Sequence, residues 1–117
     1  LPEIIKFNAS RRAETNFQYA ELARNSGIAE QCSADTHATQ LLLERVCLIL
    51  GQSGIPDSIA TFGFTQEDIP SLASDAFEQW TAQFNPVPIS LKDFEDLYFS
   101  ILKKVPSKVA GESKLLA

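Results

Sequence analysis

Chemistry needs ligands, nucleophiles or paired acids, and this chain offers few of them. Its soft or imidazole side chains are Cys32, His37 and Cys47. Their spacing matches no zinc pattern, and a structural zinc site needs four closed ligands. One histidine in the whole chain also rules out an imidazole-rich metal site without ligands from elsewhere. A Cys–His catalytic pair would need His37 beside Cys32 or Cys47, with a third group orienting the base. His37 and Cys47 are ten residues apart on one predicted helix, so they point in different directions. The carboxylates Glu67, Asp68, Asp93, Glu95 and Asp96 fall in predicted first helical turns, where the helix dipole favours negative charge. None has the apolar setting that would tune it for acid–base work. Gly51-Gln52-Ser53-Gly54 contains two glycines, but it closes a helix, whereas a phosphate cradle opens one. The residues therefore assign no catalytic, cofactor-binding or metal-ligating position.

The elements around these residues follow from apolar spacing. Residues 2–8 carry Ile4, Ile5 and Phe7 and end at Asn8, like the last turns of a helix. Residues 13–26 predict a helix with Tyr19, Leu22 and Ala23 on one face, beside Phe17 and Ala20, stopped by Gly27. Residues 35–50 predict the central and most buried helix. Its rows are Leu42, Val46, Ile49 and Leu43, Cys47, Leu50, with Ser33 or Asp35 as cap and Gly51, Gly54 and Pro56 beyond it. Cys47 would sit there as a small hydrophobe. Residues 57–64 read as a connector. Thr65 to Asp68 has capping-box spacing, and Pro70 suits the first turn of a helix carrying Leu72, Ala73, Ala76, Phe77 and Trp80 on one face through residue 82. Asn85-Pro86-Val87-Pro88 excludes helix. Ser90 to Asp93 forms a second box, followed by Phe94, Leu97, Tyr98, Ile101 and Leu102 at helical spacing. No stretch alternates long enough to be a strand. The fold class is all-α, a bundle of four to five helices in one helical domain over 1–104, with 105–117 a flexible, solvated tail.

Bulk properties narrow the partners. With 117 residues, 44% hydrophobic and 21% charged, the chain can form one modest core. Leu41–Leu43 and Val46–Leu50, split by Glu44 and Arg45, fall far short of the ~20 apolar residues that cross a bilayer. A net charge of −5 repels phosphate backbones and anionic lipid, so neither nucleic acid nor membrane is expected as a partner. Two cysteines make no disulfide framework, which favours a reducing, cytoplasmic setting. The chain has no methionine and opens on Leu-Pro ahead of an apolar stretch, so a fragment or processed piece is expected. Phe62, Phe64 and Phe84 lie in connectors, where they could pack against a partner.

The order of these motifs resembles the iron-containing alcohol dehydrogenase family. Leu1 to Asn8 (LPEIIKFN) is similar to its Leu-Pro-x-apolar-x-Arg/Lys-Phe-Asn segment. Tyr19-Ala20-Glu21-Leu22-Ala23 stands where the family has a Tyr/Ala-Glu-Leu/Ile-Ala helix, and Gly54-Ile55-Pro56 where its long helix ends. Gly63 to Ala73 (GFTQEDIPSLA) matches a Gly-apolar-Thr-x-Glu-Asp-Ile/Leu-Pro-x-Leu-Ala stretch. Asn85 to Asp93 (NPVPISLKD) matches Asn-Pro-Arg-Pro-x-Ser/Thr-x-x-Asp/Glu, with Val87 for the usual Arg.

The resemblance implies an oxidoreductase with an N-terminal α/β domain for NAD(P) and a helical domain holding iron, or sometimes zinc, on one Asp and three His. The metal would polarise the substrate oxygen while hydride passes between a nicotinamide and an alcohol or aldehyde. The last ligand in the family precedes the Leu-Pro motif, so this segment would be the final part of the helical domain, without cofactor turn or ligands. Its partners would be the rest of the parent enzyme, the N-terminal α/β domain and the metal-binding helices, or another subunit. The alternative is a stand-alone helical interaction module without catalysis.

Overall fold

The structure, a computed structural model, describes residues 1–56 and 58–102. The expected tail, 105–117, lies outside the described residues. Among these there are five α-helices and no strand, as the all-α expectation requires: α1 (Pro2–Arg11), α2 (Ala13–Asn25), α3 (Asp35–Ser53), α4 (Ile69–Glu78) and α5 (Leu91–Leu102). Short 3₁₀ turns occupy Ile59–Phe62, Gln66–Asp68 and Trp80–Phe84. The chain divides into two compact units, one of Leu1–Gln52 and one beginning at Ser53.

In the first unit, Pro2 starts α1, where its missing N–H costs nothing. The helix runs three residues past Asn8, to Arg11, and correction of the shorter expectation has a clear cause. Nothing in Ala9-Ser10-Arg11 opposes helix, and the break falls at Arg12, whose backbone is extended (φ −145°, ψ 131°). Pro2, Ile5 and Asn8 form the buried stripe of α1, which packs on α2.

Helix α2 ends in a Schellman motif. Gly27 takes φ +83°, a conformation that only glycine adopts cheaply. The Gly27 N–H then donates to Arg24 O at 3.2 Å and the Ile28 N–H to Ala23 O at 2.9 Å. The core of this unit is Ala20, Ala23, Ala29, Ala38 and Leu42, flanked by Tyr19, Ile28 and Leu41. Side chains of one carbon let helices approach closely. The buried face of α2 therefore runs through Ala20, Ala23 and Arg24, and Leu22 and Phe17, expected on it, are exposed.

Helix α3 is longer than expected at its C-terminal end, reaching Ser53. Its first half is buried, at Ala38, Thr39, Leu42 and Leu43. Its second half is not: Leu48 and Ile49 are each 55% exposed, and Cys47 is exposed too. The expectation of the most buried helix, with Ile49 and Cys47 in its apolar rows, thus meets burial only in the first half.

In the second unit, Ser58 joins the chain's middle to its last described helix. Its hydroxyl accepts the Ala60 N–H and donates to Leu102 O, both at 3.3 Å. The Asp68 carboxylate accepts the Thr65 N–H at 2.8 Å, so the expected capping box leads through a 3₁₀ turn into α4. The second box is complete: Ser90 N–H donates to Asp93 at 3.0 Å and Asp93 N–H to Ser90 Oγ at 3.1 Å. Helices α4 and α5 pack together, with Ile69 and Ala73 buried and the Phe77 and Phe94 rings edge to face at 6.5 Å. The helix expected through residue 82 stops at Glu78, because Gln79 is extended (ψ 129°) and its N–H bonds back to Ala76 O. No Gly or Pro marks this break, so periodicity alone runs past it. Asn85 Nδ2 donates to Val87 O at 2.7 Å, which holds the Asn-Pro-Val-Pro segment with Val87 buried.

Candidate functional site

The side chains that could do chemistry are scattered, and the folding of each explains why. His37 is exposed in the first turns of α3, and Cys47 is exposed on the same helix. Ten residues of α-helix place them about 15 Å apart along the axis, beyond any proton transfer. Cys32 is exposed in the loop before α3, with Sγ donating weakly to Glu30 Oε1 at 3.9 Å. Among the described residues, no three His, Cys, Asp or Glu side chains gather in a group that could hold a metal ion. The donor set among the described residues does not fit the iron or zinc that the resemblance implies.

The carboxylates have structural work. Asp68 and Asp93 accept N–H groups at helix starts, and Asp96 accepts from Lys92 Nζ at 3.3 Å across one exposed turn. Glu67 and Glu95 sit in the same helix-opening turns. At Gly51 to Gly54, α3 continues to Ser53, whose hydroxyl accepts the Ile55 N–H at 3.2 Å, and Gly54 turns out at φ +78°. A helix end presents carbonyl oxygens, so this turn repels phosphate.

Arg24, which sequence spacing did not single out, is a buried and highly connected polar group. It is 7% exposed, and its guanidinium makes three bonds. Nε donates to Glu21 at 2.9 Å, Nη1 to Ser33 O at 2.8 Å and Nη2 to Asp35 at 3.0 Å. Its carbonyl accepts from Gln31 Nε2 at 3.0 Å. The bond to Glu21, then that to Asp35, raises its pKa above the ordinary arginine value against the opposing effect of burial. It stays charged at any pH at which the protein folds, and so clamps α2, the 26–34 loop and the start of α3. Glu21 three residues earlier was the visible half of this signal; Asp35 was read as a possible cap and instead faces Arg24. Asn8, 1% exposed, likewise donates from Nδ2 to Tyr19 Oη at 3.0 Å. Thr39 Oγ1 donates to Asn16 O at 3.0 Å. These groups fix α1 to α2 and α2 to α3.

What the surface offers is apolar. Phe62, Phe64 and Phe84, the residues that could pack against a partner, are exposed. Trp80, expected on the α4 core face, joins them at 68% exposure because the chain breaks at Gln79; its ring meets Phe84 edge-on at 5.5 Å. In the first unit Leu1, Phe17 and Leu22 are bare, as are Leu48 and Ile49 in the second half of α3.

The family model for the C-terminal part of the Fe-containing alcohol dehydrogenase family matches residues 1–102, all five helices. Lactaldehyde reductase from Escherichia coli (strain K12) is 30% identical over 98 residues, which are 84% of this chain and 25% of that protein. The lactaldehyde reductase of Escherichia coli O157:H7 matches to the same extent. The chain thus spans 25% of the length of the curated relatives it matches. With motif order, helix content and the extent of the match in agreement, the chain belongs to the Fe-containing alcohol dehydrogenase family, whose C-terminal part it represents.

Proposed function

We propose that this chain is the C-terminal helical segment of a metal-dependent, NAD(P)-linked oxidoreductase that interconverts alcohols and aldehydes by hydride transfer, and that the segment has no active site of its own. The observation that carries the reading is the match over residues 1–102 to the C-terminal part of one enzyme family. Two features of the molecule support it. The buried polar side chains Arg24, Asn8 and Thr39 spend bonds on contacts between helices and to the loop before α3. Each unit leaves large apolar side chains bare, Leu48 and Ile49 in the first and Phe62, Trp80 and Phe84 in the second, which suits faces packed against a larger body. That body is the remainder of the parent enzyme or another subunit, and the iron or zinc and the nicotinamide bind there.

No described helix is long and apolar enough to cross a membrane, and Cys32 and Cys47 are both free thiols. The cytoplasmic placement of the intact enzyme rests on cysteine usage, two cysteines making no disulfide framework. Short hydroxyaldehydes are the first substrates to assay, since the relatives named above are lactaldehyde reductases.

The test compares the 117-residue chain with the same chain joined to whatever polypeptide its reading frame encodes before Leu1. The longer protein is expected to oxidise NAD(P)H with a short aldehyde once loaded with iron or zinc. The chain alone is expected to be inactive, to bind neither divalent metal nor NAD(P) by calorimetric titration, and to self-associate in light scattering. Turnover by the chain alone, or micromolar binding of metal or nucleotide to it, overturns the proposal. A start codon or an unrelated domain immediately before Leu1 would favour the stand-alone interaction module instead.

A further inference from the structure

We draw no further inference here: the strongest candidate, the exposed aromatic patch of Phe62, Phe77, Trp80 and Phe84 in the unit that begins at Ser53, carries nothing because nothing in the structure shows what covers it.

Discussion

The two units are built from the same kind of helix but are held together differently. In Leu1–Gln52, alanines at 20, 23, 29 and 38 leave little apolar volume to bury, and buried polar side chains supply the specificity. Asn8 meets Tyr19, Thr39 meets the α2 backbone at Asn16, and Arg24 gathers two carboxylates and a carbonyl. In the unit that begins at Ser53, capping boxes set where α4 and α5 start, and ring edges join them. A buried polar contact is costly to break because its orphaned partner stays out of water, whereas an exposed cap is replaced by solvent. The first unit should therefore punish single substitutions more than the second.

The sharpest break of this contrast is Leu42→Ala. Leu42 is the largest side chain of the alanine-lined core, and its loss should cost about 3 kcal/mol in urea unfolding of the dilute chain. Hydrogen exchange should localise the loss to the helices of the first unit. Asn8→Ala comes next, at roughly 2 kcal/mol, since it removes a buried amide, leaves a void and strips Tyr19 Oη of its donor. Ser90→Ala, which deletes one half of a cap in the second unit, should cost about 1 kcal/mol and raise exchange only in the first turn of α5. If Ser90→Ala proved as damaging as Asn8→Ala, the distinction between the two modes of assembly would fail.

What the sequence displayed of this fold follows the same division. The second unit was written locally except at buried Ser58, whose hydroxyl reaches Leu102 O, 44 residues on. Thr65 with Asp68 and Ser90 with Asp93 announce helix starts three residues apart, and the Phe94 to Leu102 spacing announces the face of α5. The first unit depends on pairs distant in sequence: Asn8 with Tyr19, Arg24 with Asp35, Asn16 with Thr39. No short-range period records such pairs, so Leu22 and Phe17 were set on a face that the fold gives to Ala20, Ala23 and Arg24. The scarcity of candidate ligands, one histidine and two cysteines, was legible. The exposure of α3's second half and of Trp80 was not, because apolar spacing states that a face is to be covered without stating by what.

Trp80 turns that last point into the finest test of the comparison. Its ring touches Phe84 and is otherwise open, at 68% exposure, so Trp80→Ala should change the stability of the 117-residue chain by less than about 0.5 kcal/mol. A tryptophan covered in an assembled enzyme is a different case, with truncation costing about 3 kcal/mol or more. The same substitution in the chain joined to its upstream polypeptide should lower thermal stability by several degrees, and the unsubstituted Trp80 should emit further to the blue there than in the chain alone. Equal and small effects in both settings would show that Trp80 stays in water, and the second unit's aromatics would then be surface residues and no part of a wall. A large effect in the isolated chain would show instead that this unit, like the first, is closed around its own side chains.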